Sequence, residues 1–187
     1  MKTKPPHAFA RLISGVVSGP KLRRILLTIL AAVIFFGLIT LFVLLGLQVD
    51  RLLGIPRLAD GWRYIVSAAC FVLGLLIAGW CLFQFALTRG TPVPTSPPPR
   101  LITSGIYARV RNPMISGGFL ILEGIAFLEG SLSVIIFFAP LPVLLYAIFI
   151  VTVEEPELEL RFGEAYREYK RKVPRFIPGL GKRSGRV

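Results

Sequence analysis

Two charged pairs, about forty residues apart in the chain, are the residues best placed to do chemistry. Arg109 and Arg111 stand just before Asn112-Pro113, and Glu154-Glu155 stand just before Pro156. The interval is about twice the length of one membrane-crossing helix, so a segment that crosses and returns brings both pairs to the same membrane face. Guanidinium groups bind carboxylates, and a carboxylate accepts hydrogen bonds from an ammonium or a hydroxyl. We therefore predict that the two pairs are neighbours and hold a polar ligand.

Each of these groups also has a simpler interpretation. Two carboxylates are favourable at the start of a polar helix, and arginines before a membrane helix act as cytoplasmic anchors. Adjacent residues of a helix diverge by about 100°, so only one glutamate of the pair should face a ligand. Tyr107, Tyr166 and Tyr169 could equally be aromatic residues of the membrane interface. The pattern alone leaves both interpretations open.

Long uncharged stretches place the chain among integral membrane proteins. Of its 187 residues, 54% are hydrophobic, and the mean hydropathy is +0.70. Ile25–Leu47, Tyr64–Thr88 and Leu132–Val153 have 23, 25 and 22 residues without a charge, and each exceeds the roughly 20 needed to span hydrocarbon. Met114–Leu128 is shorter and carries Glu123. The expected fold is all-α, with about four transmembrane helices and a C-terminal amphipathic helix at the interface.

The first uncharged stretch follows a basic segment, as in a cleaved signal peptide. Its apolar run is about twice the usual length for such a peptide, and no small-residue cleavage site closes it. We therefore interpret it as a retained helix.

The net charge of +12 is distributed in a pattern typical of membrane topology. Basic residues are concentrated before the first stretch, between the second and the third, and after the last, where nine lie between Arg161 and Arg186. The loop 48–61 has two arginines offset by two aspartates. By the positive-inside rule, both termini and the predicted ligand site are cytoplasmic.

The same basic residues bear on possible partners. No basic face is interleaved with stacking aromatics, which argues against nucleic acid. The expected partner is the lipid bilayer, whose anionic headgroups attract a basic tail.

Other groups that could do chemistry are few. His7 is the only histidine, which excludes a multi-histidine metal site, and no metal site is predicted. Cys70 and Cys81 lie eleven residues apart on one predicted helix, too far to form a disulfide, and are expected to be packing residues. Glu123 would be costly against lipid, so it should face either a polar cavity or a neighbouring helix.

Composition divides the chain into four predicted segments. They are a basic N-terminal arm (1–24), a two-helix membrane region (25–88), a proline-rich cytoplasmic loop (89–104), and a helical hairpin with a C-terminal amphipathic segment (105–187). Five prolines between positions 92 and 99 predict an extended conformation for the loop. The loop is either a linker or a strap that lies over a cavity.

Prolines and glycines predict the ends of the hairpin helices. Asn112 and Pro113 suit the N-cap and the first turn of the third helix. Gly130-Ser131 suits a turn at the far membrane face, and Pro140 and Pro142 should kink the last helix.

Beyond Pro156, apolar residues recur every three to four positions among charged ones. This pattern predicts an amphipathic helix that ends at Pro174. Its apolar residues are Leu158, Phe162, Tyr166, Tyr169 and Val173.

Common cofactor-binding and nucleophile motifs are absent from the sequence. It has no dinucleotide-type Gly-x-Gly-x-x-Gly, no phosphate-binding Gly-Lys-Ser/Thr loop, and no Gly-x-Ser-x-Gly nucleophile motif. If a nucleotide-like cofactor binds, the membrane hairpin itself must bind it.

Two blocks of sequence resemble the isoprenylcysteine carboxyl methyltransferase and phospholipid methyltransferase superfamily of integral membrane enzymes. The first block is Gly105-Ile-Tyr107-Ala-Arg-Val-Arg111-Asn112-Pro113-Met114-Ile-Ser-Gly117. The second block consists of Glu154-Glu155, Phe162-Gly163-Glu164, Tyr166, Tyr169 and Val173-Pro174.

The resemblance implies a bacterial-type inner-membrane methyltransferase that uses S-adenosylmethionine as methyl donor. It implies that the hairpin and the C-terminal segment bind the donor, and that a lipid-like or small hydrophobic acceptor enters from the bilayer. Carried over by position, it identifies Glu155 and Arg111 as the catalytic residues. The implied donor-binding residues are Tyr107, Arg111, Asn112, Pro113, Gly117, Glu154 and Glu155, with Tyr166 and Tyr169 closing the mouth of the site.

Three positions depart from the family pattern. Ile115 replaces an aromatic residue, Ala108 replaces an arginine, and Ile150 stands where eukaryotic prenylcysteine enzymes carry an arginine. Ile115 and Ile150 keep open the alternative of a non-catalytic membrane scaffold or lipid-binding protein of the same fold. The other alternative is a membrane reductase that uses NADPH, because sterol reductases resemble this superfamily in their C-terminal architecture.

Overall fold

The computed structural model describes residues 20–88 and 98–178, and within these ranges every regular element is a helix. The main helices are α1 (Lys21–Leu53), α2 (Trp62–Leu87), α3 (Pro113–Glu129), α4 (Pro140–Phe149), α5 (Glu155–Phe162) and α6 (Glu164–Lys172). A 3-10 turn, Gly105–Ala108, precedes α3, and two π-helical turns, Val134–Phe138 and Ile150–Glu154, flank α4. The predicted all-α class is confirmed.

Three segments of the described chain are long and apolar enough to cross a membrane. They are Ile25–Leu53, Trp62–Leu87 and Val134–Phe162, and the last runs through both π-helical turns. The helix α3 has only 17 residues, so a fourth span at this position stays a prediction.

The helix α1 continues beyond its uncharged stretch because its buried aspartate is hydrogen-bonded. Asp50 accepts from the hydroxyl of Ser131 and from the backbone N–H of Ser133 at 3.2 Å. The helix then ends at Gly54, whose φ of 65° is a left-handed conformation that favours glycine. The loop predicted over 48–61 is therefore shorter, and Asp50 belongs to the helix packing.

The second half of α1 packs on the hairpin through a close contact at Gly46. A Cβ at this position would lie 2.5 Å from Cγ2 of Val134. Ile39, Val43 and Leu47 pack on the same side, against a core cluster formed by Leu122, Ala126, Val134 and Ala139. Most apolar side chains in the first half of α1 are exposed, as expected for a helix that faces lipid.

The helices α2 and α3 run antiparallel and form the most extensive contact in the described structure. Ser67 Oγ donates to the carbonyl of Gly124 at 2.7 Å, and a Cβ on Gly74 would lie 2.8 Å from the carbonyl oxygen of Gly117. Ser67 and Gly74 are seven residues apart on α2, and Gly117 and Gly124 are seven residues apart on α3. Small residues thus meet in register and allow close backbone approach, as is common between membrane helices. Seven residues further along, Cys81 is fully buried, in keeping with its expected packing role.

The far end of the hairpin is fixed by Arg63 at the start of α2. Its guanidinium donates to the carbonyls of Phe127 and Leu128, which end α3, and pairs with Asp60 at 2.7 Å. Gly130 follows with a φ of 68°, so the predicted turn is present.

The predicted kink of the last helix takes the form of a π-helical turn before Pro140. The N–H of Ala139 donates to the carbonyl of Val134 at 2.8 Å, five residues back instead of four. Pro140 then occupies the first turn of α4.

The single amphipathic helix predicted beyond Pro156 is divided in two. Gly163 has a φ of 57° and separates α5 from α6, because a left-handed residue cannot continue a helix. The predicted apolar face is kept: Tyr166, Tyr169 and Val173 are buried together against Leu101, Leu158 and Phe162.

Residues 1–19, 89–97 and 179–187 lie outside the described residues. The basic arm, most of the proline-rich loop and the end of the basic tail fall there. The predictions for these segments, and the division into four segments, therefore stay predictions.

Gly74→Ala should lower the free energy of unfolding by about 1–3 kcal/mol, because the added methyl group would overlap the backbone of α3. The matched control is Gly79→Ala on the same helix, where a Cβ meets nothing within 4 Å. Unfolding in mixed detergent micelles, followed by tryptophan fluorescence, measures both. Equal stability of the two variants would contradict the close α2–α3 contact.

Candidate functional site

The two charged ends of the hairpin meet at the carboxylate of Glu155. Arg111 Nη1 lies 2.8 Å from its Oε1, and Arg175 donates from Nε to Oε1 at 2.8 Å and from Nη2 to Oε2 at 3.0 Å. Lys170 Nζ lies 3.7 Å from Oε2. The side chains of Glu155 and Arg111 are only 3% and 7% exposed. We refer to Glu155, Arg111, Lys170 and Arg175 as the Glu155 cluster. The predicted proximity of Arg111 and Glu155 is therefore observed.

Arg111 is also held through backbone groups of the segment that follows α6. Its Nε donates to the carbonyl of Val173 at 3.0 Å, and its backbone N–H donates to that of Pro174 at 2.9 Å. The next N–H, of Asn112, donates to the carbonyl of Arg175 at 3.1 Å. The chain after α6 thus runs beside the start of α3 and completes the Glu155 cluster.

Three tyrosines form a buried layer next to the Glu155 cluster. The hydroxyl of Tyr169 donates to the carbonyl of Tyr107 at 2.7 Å, and Arg111 Nη1 donates to the hydroxyl of Tyr166 at 3.4 Å. All three are at most 8% exposed, so they pack inside the protein instead of forming an exposed interfacial belt. Burial raises the pKa of Tyr166 to about 12, so its phenol stays neutral at physiological pH.

Glu154 takes no part in the ion pairs that its neighbour Glu155 makes. Its half-buried carboxylate has no hydrogen bond or ion pair with any other side chain of the described ranges. Its charge adds to the effect of burial in raising the pKa of Tyr107 and Tyr166, as expected for a carboxylate close to the tyrosine layer. The two adjacent glutamates therefore differ in environment, as expected for neighbours on a helix.

Asn112 has an amide group without a partner. It occupies the predicted N-cap position of α3, but its side chain makes no capping hydrogen bond. Its Nδ2 is buried and has no acceptor in the part of the chain that the structure describes. An unsatisfied buried donor costs about 1–3 kcal/mol, and a ligand oxygen or nitrogen could satisfy it.

Three of the residues singled out from the sequence have no side-chain hydrogen bond or ion pair with these groups among the described residues. Arg109 is exposed, and its side chain contacts no other described residue by a hydrogen bond or ion pair. Pro113 is buried at the first position of α3. Gly117 faces α2, where a Cβ would lie 3.1 Å from the carbonyl of Gly74, so it serves the helix contact.

Arg175 and Lys170 were missed by the sequence analysis as partners of Glu155. Both lie in a segment with many basic residues, and spacing does not single them out. The available signal was the position of Arg175 directly after Pro174, where the predicted helix ends and the chain can turn back.

The positions that depart from the family pattern differ in exposure. Ile150 is 2% exposed at the start of the second π-helical turn, Ile115 is half-buried, and Ala108 is exposed.

Glu123 is 8% exposed and faces the protein interior, as predicted. Over the described ranges, no three His, Cys, Asp or Glu side chains are grouped so that they could hold a metal ion.

Glu155→Gln should lower the free energy of unfolding by up to about 3 kcal/mol, because it leaves the buried guanidinium of Arg111 without a counter-charge. The cost falls below that of a fully enclosed pair because Arg175 and Lys170 are 35% and 38% exposed.

Glu157→Gln is the matched control for that variant. Its pair with Arg161 is longer, at 3.5 Å, and partly exposed, so the change should cost about 0–1 kcal/mol. Thermal unfolding in detergent measures both variants. A Glu155→Gln protein as stable as the control would contradict a buried, structurally required ion cluster.

Comparison with known proteins adds a family match. Residues 62–165, more than half of the chain, match the family model described as Phospholipid methyltransferase. A stretch of 80 residues is 38% identical to the Protein-S-isoprenylcysteine O-methyltransferase of Schizosaccharomyces pombe, and it covers 42% of this chain and 33% of that protein. The chain thus spans about a third of the length of this curated relative. No solved structure shows a significant match.

Proposed function

This chain belongs to the phospholipid methyltransferase family, and on that premise we propose that it is a membrane methyltransferase that uses S-adenosylmethionine. Its acceptor is a lipid-like or small hydrophobic molecule. The observation that carries the proposal is that, among the described residues, the carboxylate of Glu154 and the buried Nδ2 of Asn112, both beside the Glu155 cluster, have no hydrogen-bond partner.

The unpaired groups suit the polar groups of the donor. The carboxylate of Glu154 can accept hydrogen bonds from the donor's ammonium, and Asn112 Nδ2 can donate to its carboxylate. Three cations surround Glu155, and within the described residues only Lys170 has a further carboxylate partner, Glu159 at 2.8 Å.

The bound donor supplies an electrophilic methyl group on a sulfonium. The chain's own residues position the reactants and exclude water, which are the main contributions to a displacement of this kind. Both oxygens of Glu155 already accept from cations. Glu155 and Arg111 therefore act by holding the C-terminal segment against α3, and Glu154 contacts the donor.

The surroundings of the site favour an acceptor that arrives through the bilayer. Leu144, Leu145 and Ile148 on α4 are all more than half exposed, as expected for a helix that faces lipid. A hydrophobic acceptor can diffuse laterally along this surface to the end of the hairpin. The name of the fission yeast relative specifies a prenylated cysteine, which belongs to the same hydrophobic class.

Titration calorimetry with S-adenosylmethionine and its demethylated product tests the donor site. We expect Glu154→Gln to weaken binding about tenfold or more, because a charge-assisted hydrogen bond is lost, with little change in stability. Glu164→Gln is the matched control, since Glu164 is exposed and pairs with arginines on the surface.

Absence of donor binding in both detergent and nanodiscs would overturn the proposal in favour of a non-catalytic scaffold. Thermal stabilisation by NADPH alone would instead indicate the reductase, because only a true ligand stabilises by mass action.

We further propose that the Glu155 cluster lies on the cytoplasmic side, which the basic residues around it favour. In a chain with Cys70 and Cys81 replaced by alanine, Arg171→Cys should react with an impermeant thiol reagent only after cell lysis. Arg57→Cys, near the opposite end of the helices, should react in intact cells. The reverse pattern would contradict this orientation.

A further inference from the structure

The two π-helical turns share one arrangement with respect to proline. Val134–Phe138 is followed by Ala139 and Pro140, and sixteen residues later Ile150–Glu154 is followed by Glu155 and Pro156. In both, the residue before the proline donates its N–H to a carbonyl five residues back. Ala139 donates to Val134, and Glu155 donates to Ile150.

Proline explains why the helix widens at these places. It has no N–H to continue the ladder, and in a regular helix its ring meets the carbonyl four residues before it. A π-helical turn accommodates the ring by inserting one extra residue. The first residue of each turn, Val134 or Ile150, is at most 2% exposed and therefore lies in the core.

The widened turn determines which glutamate meets Arg111. In an uninterrupted α-helix, the carbonyl of Ile150 would accept from the N–H of Glu154. In the structure it accepts from Glu155. Glu155 therefore occupies the position that Glu154 would hold in a regular helix, and Glu154 is turned away from Arg111 by about 100°.

We propose that Pro156 is a positioning residue of the site. By maintaining the π-helical turn Ile150–Glu154, it directs Glu155 to Arg111 and Arg175 and leaves Glu154 available to a ligand cation. The two carboxylates are chemically alike, so only the helix register distinguishes the structural one from the binding one. The binding role of Glu154 rests on the proposed function, whereas the register itself does not.

The register is tested by comparing the melting temperatures of Glu154→Gln and Glu155→Gln with and without the change Pro156→Ala. With Pro156 present, Glu155→Gln should lower the melting temperature more than Glu154→Gln does. In the Pro156→Ala background the turn should relax to α, and Glu154→Gln should become the more damaging change. If Glu155→Gln remains the more damaging there, Pro156 does not set the register.

Removal of one residue provides a second test that does not depend on the stability of Pro156→Ala. Deletion of Val151, which is 41% exposed, combined with Pro156→Ala should return Glu155 to Arg111 through a regular α-helix. Glu155→Gln should again be the more damaging change in that background. Greater sensitivity to Glu154→Gln there would overturn the proposal.

Pro142→Ala is the matched proline control, because Pro142 is the third residue of α4 and the residue directly before it, Leu141, is helical and ends no π-helical turn. It should leave Glu155→Gln the more damaging change.

Donor affinity separates the register from the proposed function. Pro156→Ala should weaken S-adenosylmethionine binding about tenfold or more, and the added deletion of Val151 should restore it. One outcome is that, in the Pro156→Ala background, Glu154→Gln becomes more damaging to the melting temperature than Glu155→Gln while donor affinity stays unchanged. That result would support the role of Pro156 in the register and contradict the binding role of Glu154. Absence of donor binding in the unmodified chain would overturn the proposed function and leave the melting-temperature test of the register intact.

Discussion

A carboxylate buried where the two ends of the hairpin meet requires fixed cations around it, and this constraint connects most of the structure. Removing one partner of such a pair leaves an uncompensated buried charge, which is strongly destabilising. Glu155 obtains its partners from three places: the residues before α3, the last turn of α6 and the chain beyond it. The polar C-terminal segment is therefore part of the hairpin, although its composition resembles that of a surface helix. Its buried tyrosines and backbone hydrogen bonds follow from the same requirement.

The depth of this cluster in the protein depends on the contact between α2 and α3. Gly74 and Gly117 bring the two backbones so close that a Cβ on either one would meet the carbonyl of the other within 3.1 Å. A slip by one helical turn, about 5.4 Å, would place larger side chains in that contact. Because α3 begins at Pro113, the same contact determines where Arg111 lies. Gly117 thus serves the site from a distance, through packing.

Much of the fold was predictable, because membrane helices depend on the length of uncharged stretches and on where proline and glycine stand. The meeting of Arg111 with Glu155 followed from the forty residues between the two ends. The partners Arg175 and Lys170 did not follow, since many basic residues compete for one carboxylate and only the path of the chain selects among them. The break at Gly163 depends on a left-handed φ, which glycine permits but does not require. The π-helical turns depend on which residue is anchored in the core, and hydrophobic periodicity does not reveal this.

The hydrogen bonds of Asp50 have a consequence for the order in which the protein is assembled. Their donors, Ser131 and Ser133, are synthesised 81 and 83 residues later. When α1 leaves the ribosome, the groups that will hold it do not yet exist. Its largely exposed apolar surface suits a helix that is surrounded by lipid during that interval. Among the described helices, α1 is synthesised earliest, yet its Asp50 hydrogen bonds can form only after Ser133 has been made.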